Sequence, residues 1–248
     1  MNHKVIEIAG LKKTFDGKQI LKNINFSVFE NENLVLLGRS GEGKSVTIKC
    51  IIGLLEQDEG SVKIYGEEVL DMNQSRLKEM RTKTGFLFQG AALYDSMTVR
   101  ENLAFPLTRV LKIRNRQDVE KRIIEALDAV GLSDAINKMP SDLSGGMRKR
   151  IGLARTIIVK PKIILFDEPT TGLDPISSRE ICDLIMEIKR KYRTSSIIIT
   201  HDMECARITA DRIIVIHEGE CIAEGTFEEL EKSTDPQIHP FFNWMGDP

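Results

Sequence analysis

At 248 residues, with 41% apolar and 29% charged side chains, the chain can bury a sizeable core as one large domain or as a core with an inserted subdomain. A net charge of -2 gives no electrostatic ground for nucleic acid as a main partner, and no apolar run approaches the ~18 residues that a membrane-crossing helix needs. Met1 to Leu11 lacks the charged-then-apolar layout of a signal peptide, so a cytoplasmic location is expected; Cys50, Cys182, Cys205 and Cys221 are too scattered for a zinc pattern or a disulfide framework and read as small core residues.

The first thirty residues alternate apolar and polar positions in two runs, Val5, Ile6 and Ile8, then Ile20, Ile24, Phe26 and Val28. Asp16-Gly17 between them predicts a hairpin. Leu34 to Leu37 is an apolar run of buried-strand type, and it leads into Gly38-Arg39-Ser40-Gly41-Glu42-Gly43-Lys44-Ser45, which fills every fixed position of the G-x-x-x-x-G-K-[ST] phosphate-binding loop. Glycines at 38, 41 and 43 let the main chain turn its N–H groups inward around a β-phosphate. Lys44 adds a point charge near the β and γ oxygens, and the Ser45 hydroxyl suits Mg²⁺. Val46 to Leu55 reads as a helix whose N-terminus faces the phosphates. The ligand class is a nucleoside triphosphate, against the alternative of a plain glycine-rich turn.

Gly60 to Gly66 reads as a short antiparallel strand, Leu77 and Met80 carry a helical period, and Gly85 to Phe88 returns to strand. From Gln89 to Ser144 the pattern is helical, most clearly over Asp118 to Val130, where Val119, Ile123, Ile124, Leu127 and Val130 form one stripe closed by Gly131. Ser144 is a good N-cap for the helix that follows, and Gly145-Gly146 exposes N–H groups at its positive end, a second candidate anion site beside the plainer reading of a capped helix. Arg148-Lys149-Arg150 reads as a solvated face of that helix. Strand runs resume at Ile163 to Phe166, Ser196 to Ile199 and Ile213 to Ile216, with helical patterns between them, which predicts a parallel sheet covered by helices.

The first of these strands ends in Asp167-Glu168, at the carboxyl edge where α/β sheets bind ligands. Asp167 is assigned to the Mg²⁺ shell and Glu168 to polarising an attacking water. His201 also follows a strand, where it is either a turn residue or a donor that senses the γ-phosphate and orients that water.

With these residues in order, the chain resembles an ATP-binding-cassette (ABC) ATPase over about residues 3 to 230. The resemblance rests on Phe15, the phosphate loop, Gln89, Leu143-Ser144-Gly145-Gly146, Asp167-Glu168, Gly172-Leu173-Asp174 and His201. It implies a phosphate-loop NTPase core with a parallel sheet flanked by helices, an N-terminal antiparallel β-subdomain and an inserted helical subdomain. The implied division is one ATPase domain over 1–232, with core segments 1–88 and 150–232, a helical subdomain over 89–149, and a C-terminal extension over 233–248.

The implied ligands are ATP and Mg²⁺. Phe15 would stack on adenine, and the main chain and side chains from Gly38 to Val46 would hold the phosphates. Ser45, Gln89 and Asp167 would attend the metal, and Lys44, Glu168 and His201 would serve the chemistry. Ser144, Gly145 and Gly146 would act on the nucleotide of a second copy in a head-to-tail dimer. The implied location is peripheral, on the cytoplasmic face of the inner (plasma) membrane, with an integral membrane permease as partner and no nucleic acid.

A narrower resemblance is to the ATPase subunits of the Mla (maintenance of lipid asymmetry) and Mce-associated lipid transporters, which would add an Mce-type lipid-binding subunit. It is carried by Gly38 to Val46 with Ile51 to Leu55, by Phe88 to Val99 with Glu101-Asn102 and Phe105 to Leu107, by Ser144 to Arg150, and loosely by Asp235 to Phe242. Met147, where many ABC proteins have Gln, favours the narrower group, and Arg39 stands where Pro is common. The competing readings are an ATPase serving an amino-acid importer or lipoprotein release, an ABC protein without a permease, and a simple nucleotide-binding switch.

Overall fold

The computed structural model describes residues 3–242. Residues 1–2 of the stretch tested for a signal peptide, and 243–248 of the expected extension, lie outside the described residues. Strands β1 (Lys4–Phe15) and β2 (Lys18–Phe29) form the expected hairpin. Both turn residues, Asp16 and Gly17, are left-handed at φ 48 and 77, the geometry that matches the twist of the flanking strands. Strands β4 (Glu59–Ile64) and β5 (Glu67–Glu68) extend this antiparallel part from the β1 edge.

The parallel part consists of β3 (Asn33–Leu37), β6 (Thr84–Leu87), β7 (Ile163–Asp167), β8 (Ser195–Thr200) and β9 (Arg212–His217). One further strand, β10 (Glu220–Gly225), pairs antiparallel with β9 and touches β2 through the single parallel pair Glu220–Asn23. Its side chains are half-buried at most, so it lacks the apolar run that marks the other strands. Among the described residues it joins the two parts into one ten-stranded sheet of order β5-β4-β1-β2-β10-β9-β3-β8-β7-β6.

Because successive side chains of a strand face opposite ways, each parallel strand feeds two cores. Leu34, Leu36, Leu165, Ile197, Ile199, Ile214 and Ile216 join the antiparallel strands and helix α1 (Lys44–Ile51) on one face. Val35, Leu37, Ile164, Phe166, Ile198 and Val215 meet the remaining long helices on the other. These are α4 (Arg116–Asp128), α5 (Gly145–Ile157) and α6 (Pro175–Tyr192), with the shorter α3 (Val99–Phe105) and α7 (Met203–Thr209) beside them. Helix α5 thus runs across residue 149, where the sequence reading ends the helical subdomain.

Two expected helices differ in extent. The first stops at Ile51 rather than Leu55: Gly53 turns left-handed at φ 62, and Leu54 is 54% exposed. Arg81 of α2 (Gln74–Lys83) caps the open end, donating to the carbonyls of Ile52 at 2.8 Å and Gly53 at 2.6 Å. Helix α4 begins at Arg116, two residues early, because Asn115 accepts from the N–H groups of Gln117 and Asp118 and so caps it. Beyond β10, α8 (Phe227–Glu231) and α9 (His239–Phe242) return the chain to the core, where Phe242 is buried against Phe227 with ring centroids 5.4 Å apart.

The loop between β6 and α3 carries Gln89, and Asn102 organises its far end. That side chain is fully buried; it accepts from Tyr94 N–H at 2.8 Å and donates to the carbonyls of Tyr94, Met97 and Thr98 at 3.0–3.1 Å. Replacing it removes both the bonds and the partners of four main-chain groups, so Asn102→Ala should lower stability by about 2–3 kcal/mol in urea unfolding.

Candidate nucleotide site

Strand β3 ends at Leu37, and the phosphate loop turns over the carboxyl edge of the parallel sheet into α1. Gly43 is left-handed at φ 89 and lies against β2 so closely that a Cβ there would collide with the Leu21 side chain. Gly38 is similarly pressed on the Ile216 carbonyl of β9. The loop therefore sits in the seam between the two parts of the sheet. A cavity of about 610 Å³ opens beside it, lined by Arg39, Ser40, Gly41, Gly43, Lys44, Ser45, Val46, Gln89, Asp167, Glu168 and His201 together with Ile20 and Ile199. This volume is in the range of small-molecule sites.

Lys44 is buried, and its Nζ donates to the carbonyls of Gly38 at 2.6 Å and Arg39 at 2.8 Å. Burial holds its ammonium below the ordinary lysine range, against the opposing pull of Glu168, Glu42 and Asp167. Ser45 Oγ donates to Asp167 Oδ1 at 3.0 Å. Burial pushes the Asp167 carboxyl above its ordinary range, with the Glu168 charge adding to it and the Ser45 hydrogen bond opposing it. A hydroxyl, a carboxylate and the nearby Gln89 are the hard, neutral-to-anionic oxygen donors that Mg²⁺ takes alongside phosphate oxygens and water, so this donor set fits the ion.

Glu168 has the left-handed conformation, φ 51, that a side chain with a Cβ rarely adopts. Its N–H donates to Ile199 O at 3.0 Å, which ties it to β8, while its carboxylate meets His201 Nδ1 at 3.0 Å and accepts from Thr171 Oγ1 at 3.1 Å. The carboxylate is thereby held over the same cavity as Lys44. His201 is reached from β8, one residue past its end, and its ring is 60% exposed.

Of the residues expected at the nucleotide of their own chain, Phe15, Gly38 and Glu42 are not in this lining. Phe15 ends β1 at 39% exposure, with Lys13 Nζ 5.6 Å from its ring centre, and the apolar residues of the lining are Ile20, Val46 and Ile199. The Glu42 side chain turns away from the phosphate side to meet His217 Nδ1 at 3.2 Å and the Glu218 N–H, bracing the loop against the turn between β9 and β10. His217, the last residue of β9, supports the loop through Glu42.

Ser144, Gly145 and Gly146 are also outside the lining. Ser144 caps α5 by accepting from Met147 N–H at 3.2 Å, and the two glycines pack near Leu173 and Ser177. The Arg148-Lys149-Arg150 cluster corrects the sequence reading: Arg148 is exposed, but Lys149 is only 5% exposed, on the buried face that also holds Leu153 and Thr156. Those three stand at i, i+4 and i+7, the spacing of one helix face, and that period outweighs the run of three adjacent charges.

The model of the ABC transporter family matches residues 21–171. This chain belongs to that family. It is 38% identical over 238 residues to the probable ribonucleotide transport ATP-binding protein mkl of Mycobacterium leprae, covering 96% of this chain and 68% of that relative. It is 37% identical over 230 residues to methionine import ATP-binding protein MetN 4 of Oceanobacillus iheyensis, covering 91% and 66%. To the Arabidopsis thaliana protein TRIGALACTOSYLDIACYLGLYCEROL 3, chloroplastic, it is 35% identical over 254 residues, covering 96% and 73%. The chain thus spans about two thirds of the length of the first two relatives. Among solved structures, the dimeric post-hydrolysis state of the ATP-binding cassette MJ0796 bound to ADP and Pi superposes with a TM-score of 0.81 at 32% identity, over 90% of this chain and 98% of that one. The ABC ATPase fold expected from the motifs is the fold observed, and the chain is an ATPase domain of that family.

The raised carboxyl of Asp167 has a measurable consequence. A folded-state pKa above the unfolded value means that ionised Asp167 costs stability at neutral pH, and that this cost fades as pH falls toward the unfolded value. Asp167→Asn should therefore raise the melting temperature of the nucleotide-free protein by roughly 2 °C at pH 7.5, should give no gain near pH 4, and should abolish ATP turnover. Calorimetry at the two pH values with a phosphate-release assay checks all three.

Proposed function

We propose that this chain is the ATP-hydrolysing subunit of a membrane transporter, that it closes as a head-to-tail dimer around two ATP·Mg²⁺, and that the cargo is a phospholipid or another lipid. The observation that carries the mechanism is the division of anion-binding groups on one chain. Lys44, Ser45, Glu168 and His201 share one cavity, whereas Ser144, Gly145 and Gly146 at the start of α5 are not in its lining. Amides at a helix N-terminus suit a phosphate, and a second copy supplies one if its cavity meets this helix.

In the closed dimer the water oxygen attacks the γ-phosphorus in line, and the bond from that phosphorus to the β–γ bridging oxygen breaks. The water proton passes to the Glu168 carboxylate, and ADP and phosphate leave. His201 and Thr171 hold that carboxylate, and Lys44 with the partner's amides stabilises charge spread over the equatorial oxygens. Ser45 and Asp167, with Gln89, would hold Mg²⁺, which would supply charge neutralisation on the phosphates.

For the cargo, the segments shared with Mla and Mce-associated ATPases, Met147 among them, support lipid, as does a relative whose name carries the lipid trigalactosyldiacylglycerol. The partners are an integral membrane permease, gripped around Gln89 to Phe105, and an Mce-type lipid-binding subunit, with the ATPase peripheral on the cytoplasmic face. Among the described residues no helix is long and apolar enough to cross a membrane. The second reading, a small polar solute, is favoured by the relatives named for ribonucleotide transport and methionine import. Mass spectrometry of ligand co-purifying with the membrane complex separates the two, since bound nucleoside or amino acid in place of lipid overturns the lipid reading.

Glu168→Gln should keep ATP affinity within about threefold, lower turnover by at least about 100-fold and trap an ATP-bound dimer in size-exclusion chromatography; steady hydrolysis in that variant removes Glu168 as base. Ser144→Arg should leave ATP binding by the monomer intact and lower hydrolysis by a similar factor, because the bulk and charge enter the partner's site. An undiminished rate argues against action in trans.

A further inference from the structure

Lys149 is a buried ammonium with no carboxylate among its hydrogen-bond partners in the described residues. Its Nζ donates instead to two main-chain carbonyls on two different loops, Gln89 O after β6 and Glu168 O after β7, the latter at 3.1 Å. Burial lowers its pKa, with the charges of Glu168 and Asp167 opposing the shift. A cation kept out of water in this way costs more than an apolar side chain of the same length would, so stability does not account for it.

The geometry supplies another account. Glu168 is left-handed, and such a residue persists only where its surroundings over-determine it. One side of it is fixed by Glu168 N–H to Ile199 O. On the other side its carbonyl accepts from Lys149 at 3.1 Å and, at the longer 3.4 Å, from Thr171 N–H. The second carbonyl held by Lys149 belongs to the residue whose side chain lines the same cavity. Lys149 itself stands in the second turn of α5, whose first residues are the amides assigned to the partner's nucleotide.

We propose that Lys149 is a positioning residue for hydrolysis: its ammonium ties helix α5 to the main chain of Gln89 and Glu168, so that the carboxylate is aimed at the water only while α5 is docked in place. Docking of the partner's nucleotide on the amides of α5 then bears on Glu168 through one side chain. The inference rests on Glu168 as the base.

The test compares ATP turnover by the full chain, purified with the membrane proteins that accompany it, in three variants. Lys149→Met keeps the length and removes the donors; kcat should fall by about 30-fold while KM for ATP stays within about twofold and the melting temperature does not drop. Lys149→Arg restores donors to both carbonyls and should recover kcat to within about threefold of the parent. Should Lys149→Met fail to fold, Lys149→Gln, which is shorter and reaches one carbonyl at a time, replaces it with an expected loss of about tenfold in kcat at unchanged KM. Unchanged kcat in the donor-free or shortened variant, a rise in KM that accounts for the loss, or Lys149→Arg as impaired as Lys149→Met overturns the proposal. Glu168→Gln run in parallel keeps the two readings apart: steady turnover there removes the base, whereas the Lys149 variants retain Glu168 and report on its positioning.

Discussion

The site depends on a steric constraint at the seam of the sheet, where the phosphate loop is gripped from both sides. Gly43 abuts Leu21 of the antiparallel part and Gly38 abuts Ile216 of the parallel part, with no room for a Cβ at either. Lys44 then closes the loop on itself through the Gly38 and Arg39 carbonyls, and Glu42 anchors it to the turn after β9. A loop so held has its N–H groups oriented before any phosphate arrives, which lowers the ordering cost of binding. The seam exists because β10 bridges β9 and β2, and the bridge is narrow, a single residue pair on the β2 side.

Around this loop the parallel strands deliver chemistry from their carboxyl ends. β7 brings Asp167 and Glu168, and β8 brings His201, in adjacent positions because the two strands pair in parallel from Ile163–Ser195 through Asp167–Ile199. The two carboxylates, adjacent in sequence, then part in environment. Asp167 remains partly buried beside Ser45, where burial disfavours its charge, and Glu168 turns through a left-handed residue to face His201. The site spends folding stability on buried Lys44 and Lys149 and half-buried Asp167, charges whose desolvation is offset only in part by their neighbours.

Much of this was legible in the sequence because the signals are local. The phosphate loop, the Asp16-Gly17 hairpin, the Ser144 cap and the acidic strand end each need only a short run of residues, and each lies where the run predicts. Other features depend on distant neighbours. The first helix ends at Ile51, where Gly53 turns left-handed and Arg81, 29 residues away from Ile52, takes the carbonyls just past its end. Strand β10 carries little apolar period because both its faces are only half covered. Ile20 reaches the cavity because β2 lies against Gly43 of the phosphate loop, whereas Phe15 ends the neighbouring β1 at 39% exposure.

The sequence by itself determined the family, the nucleotide chemistry and the order of the parts, since glycine spacing, strand-end acids and helix caps act over one turn of chain and keep their meaning wherever that turn is placed. Only the tertiary structure decided which charges are buried. Lys149 sits between two charged residues in sequence, yet its ammonium bonds carbonyls 60 and 19 residues away, and whether a lysine meets water or main-chain oxygen is settled by what folds against it.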